Sequence, residues 1–105
     1  MGDRGNILIK ESKGGEIYFY SHWAGSMLAE TAKAALIRGR GRWDDEQYLS
    51  RIIFSEMIKD ELLKTTGYGI STYQGDGHVA LIVDIAKQQV TTENGETLSF
   101  EKFTE

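Results

Sequence analysis

The chain has 105 residues, 12 of them Lys or Arg and 16 Asp or Glu, and it contains neither cysteine nor proline. This length predicts a single domain over residues 1–105 with room for one two-layer core. The lack of cysteine excludes disulfide scaffolds, thiolate metal centres and cysteine nucleophiles. No apolar run approaches the roughly 20 residues of a membrane helix, and the first residues lack the apolar segment of a secretory signal, so we expect a cytoplasmic protein.

The formal net charge of −4 argues against direct binding to nucleic acid or to an anionic membrane. The charge is nevertheless uneven. Residues 1–43 hold seven basic and four acidic side chains, a net charge of +3, and residues 44–105 hold five basic and twelve acidic side chains, a net charge of −7. This distribution is typical of two solvated faces of one small domain. The alternative is a local anion site within an acidic protein.

The first 23 residues predict an antiparallel β-hairpin. Residues 6–13 include an Ile-Leu-Ile run that favours a strand, and the Gly-Gly pair at 14–15 can adopt the positive φ of a tight turn. Residues 16–23 predict the second strand. Alternation along that strand places Ile17 and Phe19 on one face and Tyr18, Tyr20 and His22 on the other.

Two helices are predicted next. The first has Ser26 as its N-cap and ends near Arg38, where two glycines suit a left-handed C-terminal turn. Its apolar residues recur every three or four positions and give one narrow buried stripe. The second begins at Asp44, pairs that residue with Gln47 as a capping box and ends at residues 65–67. Helical spacing of apolar residues from 48 to 62 predicts the main core element there.

The remaining residues predict four strands, over 69–73, 78–85, 88–93 and 96–103. The dipeptide Asn94-Gly95 is a strong hairpin signal between the last two. Strand 78–85 has apolar side chains on both faces, which indicates a central strand or an outer face covered by another chain. The predicted order is ββααββββ, an α+β two-layer domain in which an antiparallel sheet carries both helices on one face.

The aromatic end of the second strand is the first candidate for a binding surface. Tyr20 and Trp23 offer flat faces with a polar tip, and His22 can donate, accept or titrate near neutral pH. The alternative is structural, because aromatic residues favour strands and pack against cross-strand partners.

The arginine segment between the helices is the second candidate. Arg38, Arg40 and Arg42 alternate with glycines, and arginine can clamp a phosphate or carboxylate with two hydrogen bonds. The segment leads into a helix N-terminus, which favours anions, but three acidic residues at 44–46 already occupy that end. The alternative is an exposed connection with Trp43 anchored in the core, and we expect a structural role for Trp43.

Residues 65–71 are the third candidate. Gly67 and Gly69 flank Tyr68, so the turn holds one ring at a defined place, and Ser71 adds a hydroxyl group. The glycines follow a helix and open a strand, which is the reverse of a dinucleotide-binding loop, so Rossmann and P-loop sites are excluded. Ordinary turn chemistry is the alternative.

No catalytic, metal-binding or cofactor-binding set is predicted. No sequence pattern links a serine with His22 or His78 in a catalytic triad, and the sequence contains no nucleophile elbow. Asp76 and His78 with His22 would form a weak metal-ligand set, but an aspartate in a turn is explained by backbone hydrogen bonding.

Five segments together resemble a group of short hypothetical proteins from bacteria and their phages. The resemblance covers residues 3–85 and is weakest after Ile85. It implies a bacterial or phage setting and a free-standing domain, and it implies no activity. The segments are Asp3-Arg4-Gly5-Asn6-Ile7, Tyr18-Phe19-Tyr20-Ser21-His22-Trp23, Gly41-Arg42-Trp43, the run from Arg51 to Ile58, and Thr66-Gly67-Tyr68-Gly69-Ile70-Ser71.

The leading hypothesis is a non-enzymatic module that binds a small anion, for example a nucleotide. We expect the second strand, the arginine segment and the 67–71 turn to converge at one sheet edge and form its site. The predicted ligand-binding residues are Tyr20, His22, Trp23, Arg38, Arg40, Arg42, Tyr68 and Ser71.

The main alternative is an interaction protein that inhibits or recruits a host protein, such as a phage factor acting against host defence. A hydrolase that uses His22 or His78 is a minor alternative. A two-layer domain leaves one sheet face bare, with Ile82 on it, so we also expect a homodimer.

Overall fold

The computed structural model describes residues 3–105, which form an α+β fold with a six-stranded mixed sheet and three helices. The strands are β1 Gly5–Lys10, β2 Glu16–Ser21, β3 Tyr68–Ser71, β4 His78–Asp84, β5 Gln89–Thr92 and β6 Thr97–Ser99, and the helices are α1 Leu28–Arg38, α2 Glu46–Ile58 and α3 Phe100–Phe103. Within residues 3–105, no helix has the length and apolar character needed to cross a membrane.

The sheet has the strand order β3-β2-β1-β4-β5-β6, so β4 is a central strand as predicted. The prediction of a purely antiparallel sheet is wrong, because β1 and β4 pair in parallel. The two predicted hairpins, β1 with β2 and β5 with β6, are both present. Between them, the chain leaves β3 at one edge, crosses β2 and β1, and enters β4 on the far side of β1.

Both long helices contribute to one apolar core with a single face of the sheet. On that face Ile7 and Ile9 of β1 are fully buried, and Phe19 of β2 packs against Phe54 of α2 with ring centroids 5.0 Å apart. The predicted stripe of α1 is buried as expected. Its members are Leu28, Ala32, Ala35 and Leu36.

The helix starts differ from the prediction. Residues Gly25–Met27 form a 3₁₀ turn before α1, and the Ser26 hydroxyl binds the Asp3 carboxylate instead of capping the helix. The hydrogen bonds from Ser26 lower the pKa of the Asp3 carboxyl group. At α2 the N-cap is Asp45, whose side chain accepts from the Tyr48 N–H at 3.1 Å, while Asp44 accepts from Gln88.

The second helix is shorter than predicted, since α2 ends at Ile58. Consequently Leu62 lies outside the helix with 68% of its surface exposed, and Tyr48 is half exposed on the outer side of α2. Both residues were expected in the core. The apolar residues continue at helical spacing beyond Ile58 although the helix ends there, so their spacing alone could not predict the end of α2.

The predicted last strand is divided between two elements. β6 covers only Thr97–Ser99, and α3 follows directly with the Ser99 hydroxyl accepting the Lys102 N–H at 3.0 Å. Phe100 is 1% exposed, and its ring lies edge-on to Trp43 at 5.3 Å. Burial of Phe100 against the helices therefore turns the chain out of the sheet.

Candidate functional site

Tyr20 near the end of β2, with His22 and Trp23 just after it, is here called the aromatic cluster, in which His22 contacts the other two rings. The Tyr20 hydroxyl lies within hydrogen-bond distance of His22 Nδ1, at 2.8 Å, and this contact orients the imidazole. The His22 ring stands edge-on to Trp23 at 4.8 Å. Trp23 is 59% exposed. The cluster therefore offers solvent an indole face and an oriented imidazole.

The connection from β3 to β4 supports the cluster from the sheet face opposite the helices. A side chain at Gly75 would come within 2.6 Å of the Tyr20 ring, so only glycine allows the backbone to cross there. Asn6, fully buried, accepts from the Gly75 N–H at 2.9 Å and donates to the Gly75 carbonyl oxygen at 3.1 Å. This crossing partly covers the sheet face that was expected to be bare, and the homodimer remains a prediction.

Sequence reasoning overlooked Asn6 and Arg4. Asparagine is depleted in strands, so the position of Asn6 within the first predicted strand is the sequence signal that could have indicated a special role for this residue. Gly5, the residue after Arg4, aligns with Ser21, the residue before His22. The Arg4 guanidinium lies 3.5 Å from the Asp76 carboxylate. Arg4 therefore adds a cation near the cluster, next to a carboxylate that offsets its charge.

Tyr68 and Ser71 do not join the aromatic cluster. The register aligns Tyr68 with Ser21 and Ser71 with Tyr18, so the two residues lie on opposite faces of β3. Tyr68 is half-buried against the core on the helix side. The Ser71 hydroxyl is exposed and accepts the Tyr73 N–H at 3.2 Å. Only the backbone of the 67–71 turn meets the cluster, through the His22 N–H and the Gly67 carbonyl, which lie 2.8 Å apart.

Arg40 and Arg42 have partners inside the protein. Arg40 makes two hydrogen bonds to the Glu101 carboxylate, at 3.0 and 3.1 Å, and lies over the Trp43 ring at 4.6 Å. Arg42 lies over the Tyr48 ring at 4.9 Å. Trp43 itself is buried and donates from Nε1 to the Leu36 carbonyl at 2.9 Å, which confirms its structural role. These contacts attach the connection between α1 and α2 to α3.

Arg38 joins the two long helices. Its guanidinium donates to Glu56 Oε1 at 3.1 Å, to the Ile52 carbonyl at 3.0 Å and to the Ser55 hydroxyl at 2.9 Å. Glu56 also accepts from Lys59 at 2.9 Å, and its side chain is only 11% exposed. The hydrogen bond from Lys59, followed by the hydrogen bond from Arg38, lowers the pKa of the Glu56 carboxyl group. The hydrogen bond with Glu56 in turn raises the pKa of Lys59.

The expected convergence of the three segments is wrong. The 3₁₀ turn before α1 binds Asp3 at the start of β1, where the aromatic cluster also lies. The eleven residues of α1 then carry the chain about 16 Å away. At the start of α2, Glu46 accepts from the Ser12 N–H beyond the end of β1. The arginine segment and the aromatic cluster therefore lie at opposite ends of β1.

A basic groove between α1 and α2 is the place where cations do gather. Three basic side chains and one acidic side chain line this cavity of about 630 Å³: Arg38, Arg51, Lys59 and Glu56. Arg51 is exposed and takes part in no ion pair within residues 3–105. The local excess of positive charge contrasts with the net charge of −4 of the chain. Sequence reasoning had not selected Arg51 or Lys59 as ligand-binding residues.

Comparison with protein-family models, with curated proteins and with solved structures found no match. Over residues 3–105, no group of three or more His, Asp or Glu side chains is arranged to hold a metal ion.

Proposed function

We propose that the chain is a non-enzymatic module that binds a small anion, such as a phosphate or a carboxylate group, in the basic groove. The observation that carries the proposal is the exposed guanidinium of Arg51, which has no ion-pair partner in the described chain, beside Arg38 and Lys59. Of the predicted ligand-binding set, Arg38 lines this groove and adds positive charge to it, although its guanidinium donates to partners on α2. Arg40 and Arg42 are left out because α3 and Tyr48 occupy them.

The division of labour in the groove follows from its hydrogen bonds. Glu56 neutralises one positive charge and fixes Arg38 against α2, so the guanidinium of Arg38 is already oriented. Lys59 also contacts Glu56 but is 61% exposed, and Arg51 is wholly available. An anion in the groove would therefore be bound mainly by Arg51, with Lys59 as the second cation. Arginine suits this role because its planar guanidinium matches the geometry of a phosphate or carboxylate.

A titration with inorganic phosphate tests the proposal. Amide signals of the ¹⁵N-labelled chain are followed at low ionic strength, because salt screens exposed charges. We expect saturable shifts at residues 51, 55 and 59. The variant Arg51→Gln should weaken binding by roughly threefold to tenfold, the range of one charge-assisted hydrogen bond at a partly exposed site.

Arg42→Gln is the matched control, since Arg42 is also an exposed arginine without a carboxylate partner. It should leave the phosphate affinity unchanged. Shifts that do not saturate, or equal losses in the two variants, would mean that phosphate senses only the general charge of the chain, and the proposed function would be wrong.

A second candidate, an interaction protein, is favoured by a group of exposed apolar side chains around the end of α2 and β3. Leu63 and Tyr73 are 92% and 79% exposed, and Leu62 and Ile70 are also more than half exposed. Such a patch is typical of a protein–protein contact. Native mass spectrometry of the purified chain separates the two candidates, because it reports retained small molecules and self-association together. A dimer that Leu63→Asp converts to a monomer would favour the interaction protein.

A further inference from the structure

An apolar groove lies on the other side of α2, between that helix and the β2–β3 pair. Its volume is about 440 Å³, within the range of small-molecule pockets. Most of its wall is apolar: Ile17, Phe19, Phe54, Ile58, Leu62 and Ile70. Ile70 is 58% exposed at the edge strand β3, so the groove opens to solvent along the edge of the sheet.

The apolar groove and the basic groove meet along one stripe of residues. Arg51, Ser55, Ile58 and Leu62 line both cavities. Arg51, Ser55 and Ile58 follow one another at spacings of four and three residues, which places them on one face of α2, and Leu62 lies just beyond the end of that helix. A molecule in the apolar groove therefore reaches the Arg51 guanidinium without leaving the surface of α2.

Ser50 supplies a second, independent observation. Ser50 lines the apolar groove and is 7% exposed, and its Oγ is the buried side-chain polar atom that has no hydrogen-bond partner within residues 3–105. Buried hydroxyl groups are normally paired. Serine has three staggered rotamers, so rotation about one bond turns the hydroxyl toward a group that enters the groove. The groove thus combines apolar walls with one polar atom that needs a partner.

We propose that the two grooves together bind an amphipathic carboxylate, with the carboxylate on Arg51 and a linear apolar tail in the groove lined by Phe54, Ile58 and Ile70. Charge complementarity selects the head group, since three cations and one carboxylate line the adjoining groove. The volume of about 440 Å³ corresponds to roughly 15 water-sized groups, enough for a tail of medium length. This inference rests on the proposed function and names its ligand class.

A chain-length series of carboxylates tests the inference. Acetate, butyrate, hexanoate and octanoate share one head group and differ only in the length of the tail. We expect the affinity of the full chain to rise by up to about fourfold for each methylene that the groove buries, and then to level off. Amides of residues 54, 58 and 70 should shift only with the longer members.

Two variants separate the head-group contact from the tail contact. Arg51→Gln should weaken all members by one common factor, whereas Ile70→Ser should flatten the dependence on chain length and leave acetate unchanged. Ser50→Ala should weaken all members by roughly threefold, as expected for the loss of one hydrogen bond from the Ser50 hydroxyl to the carboxylate beside Arg51. Arg42→Gln again serves as the control and should change nothing.

The outcomes distinguish the two proposals. Binding of phosphate and acetate that depends on Arg51, with no gain from longer tails, overturns the inference and leaves the proposed function in place. If Arg51→Gln leaves the affinity of every member unchanged while longer tails still bind more tightly, both the inference and the anion function are overturned. Shifts at residues 54, 58 and 70 that follow protein concentration without any carboxylate show that a second copy occupies the groove, which also overturns the inference.

Discussion

Trp43 and Trp23 show how two regions of the molecule use the same residue type in opposite ways. Trp43 lies between α1 and α2, is 8% exposed, and has its indole N–H paired with the Leu36 carbonyl and its ring against Phe100. Trp23 ends the aromatic cluster and is 59% exposed, with His22 beside its ring. The first ring stabilises the fold, whereas the second remains available to a ligand or a partner.

The arginines show the same contrast. Arg38 and Arg40 each lie within reach of a carboxylate and of further acceptors, so packing between helices occupies them. Arg51 stands on the outer stripe of α2, where no carboxylate of the described chain meets it. Arg38 and Arg40 stabilise contacts between helices and are therefore structural. Whether an arginine side chain is available to a ligand depends on the acceptors that the fold brings within reach of it.

The largest expected effect comes from truncating the buried ring. Trp43→Ala should lower the free energy of unfolding by about 3–5 kcal/mol, because it leaves a cavity against Phe100 and an unpaired carbonyl at Leu36. Trp23→Ala, the matched control, should cost less than about 1 kcal/mol. Urea unfolding followed by circular dichroism measures both. Similar losses for the two variants would remove the contrast, and Trp43→Phe keeps the test usable should the alanine variant fail to fold.

An intermediate effect is expected from Asn6→Ala. This change removes the side chain that fixes the crossing segment at Gly75, and should cost about 1–3 kcal/mol by leaving partly buried backbone groups unpaired. Exchange of the Gly75 amide hydrogen should become faster, because that N–H donates to Asn6. Gln47→Ala, on the exposed side of α2, should stay within about 0.5 kcal/mol. Unchanged exchange at Gly75 would show that the crossing is held by other contacts.

The smallest effect is expected from Glu56→Gln and depends on pH. The pKa of the Glu56 carboxyl group is lower in the folded chain than its ordinary value, so its contacts with Lys59 and Arg38 stabilise the fold above that ordinary value. This contribution is lost as the pH falls through the lowered pKa. At pH 7 the variant should lose about 0.5–1 kcal/mol, and it should approach the stability of the parent chain once the pH has fallen below the lowered pKa. A constant difference between pH 7 and a pH below the lowered pKa would assign the loss to packing instead of charge.

Local sequence signals predicted most elements of the fold but not the contacts between distant ones. Alternation and turn residues located all six strands, and Trp43 was correctly expected to be structural. The start of α1 was wrong because Asp3, a residue distant in sequence, takes the Ser26 hydroxyl. The sheet was wrong in its strand directions because β4 pairs with β1, and pairing between strands about 70 residues apart leaves no local signal.

The candidate site shows the same limit more strongly. Tyr20 and His22 share one face because they are two residues apart at the end of a strand, and Trp23 follows His22 directly. The sequence alone determined that grouping. Whether an arginine is free depends on which carboxylates and carbonyls the folded chain brings near it. Tertiary structure decided that Arg38 and Arg40 are occupied, that Arg51 is not, and that two grooves meet on α2, since packing between helices and sheet creates those neighbours.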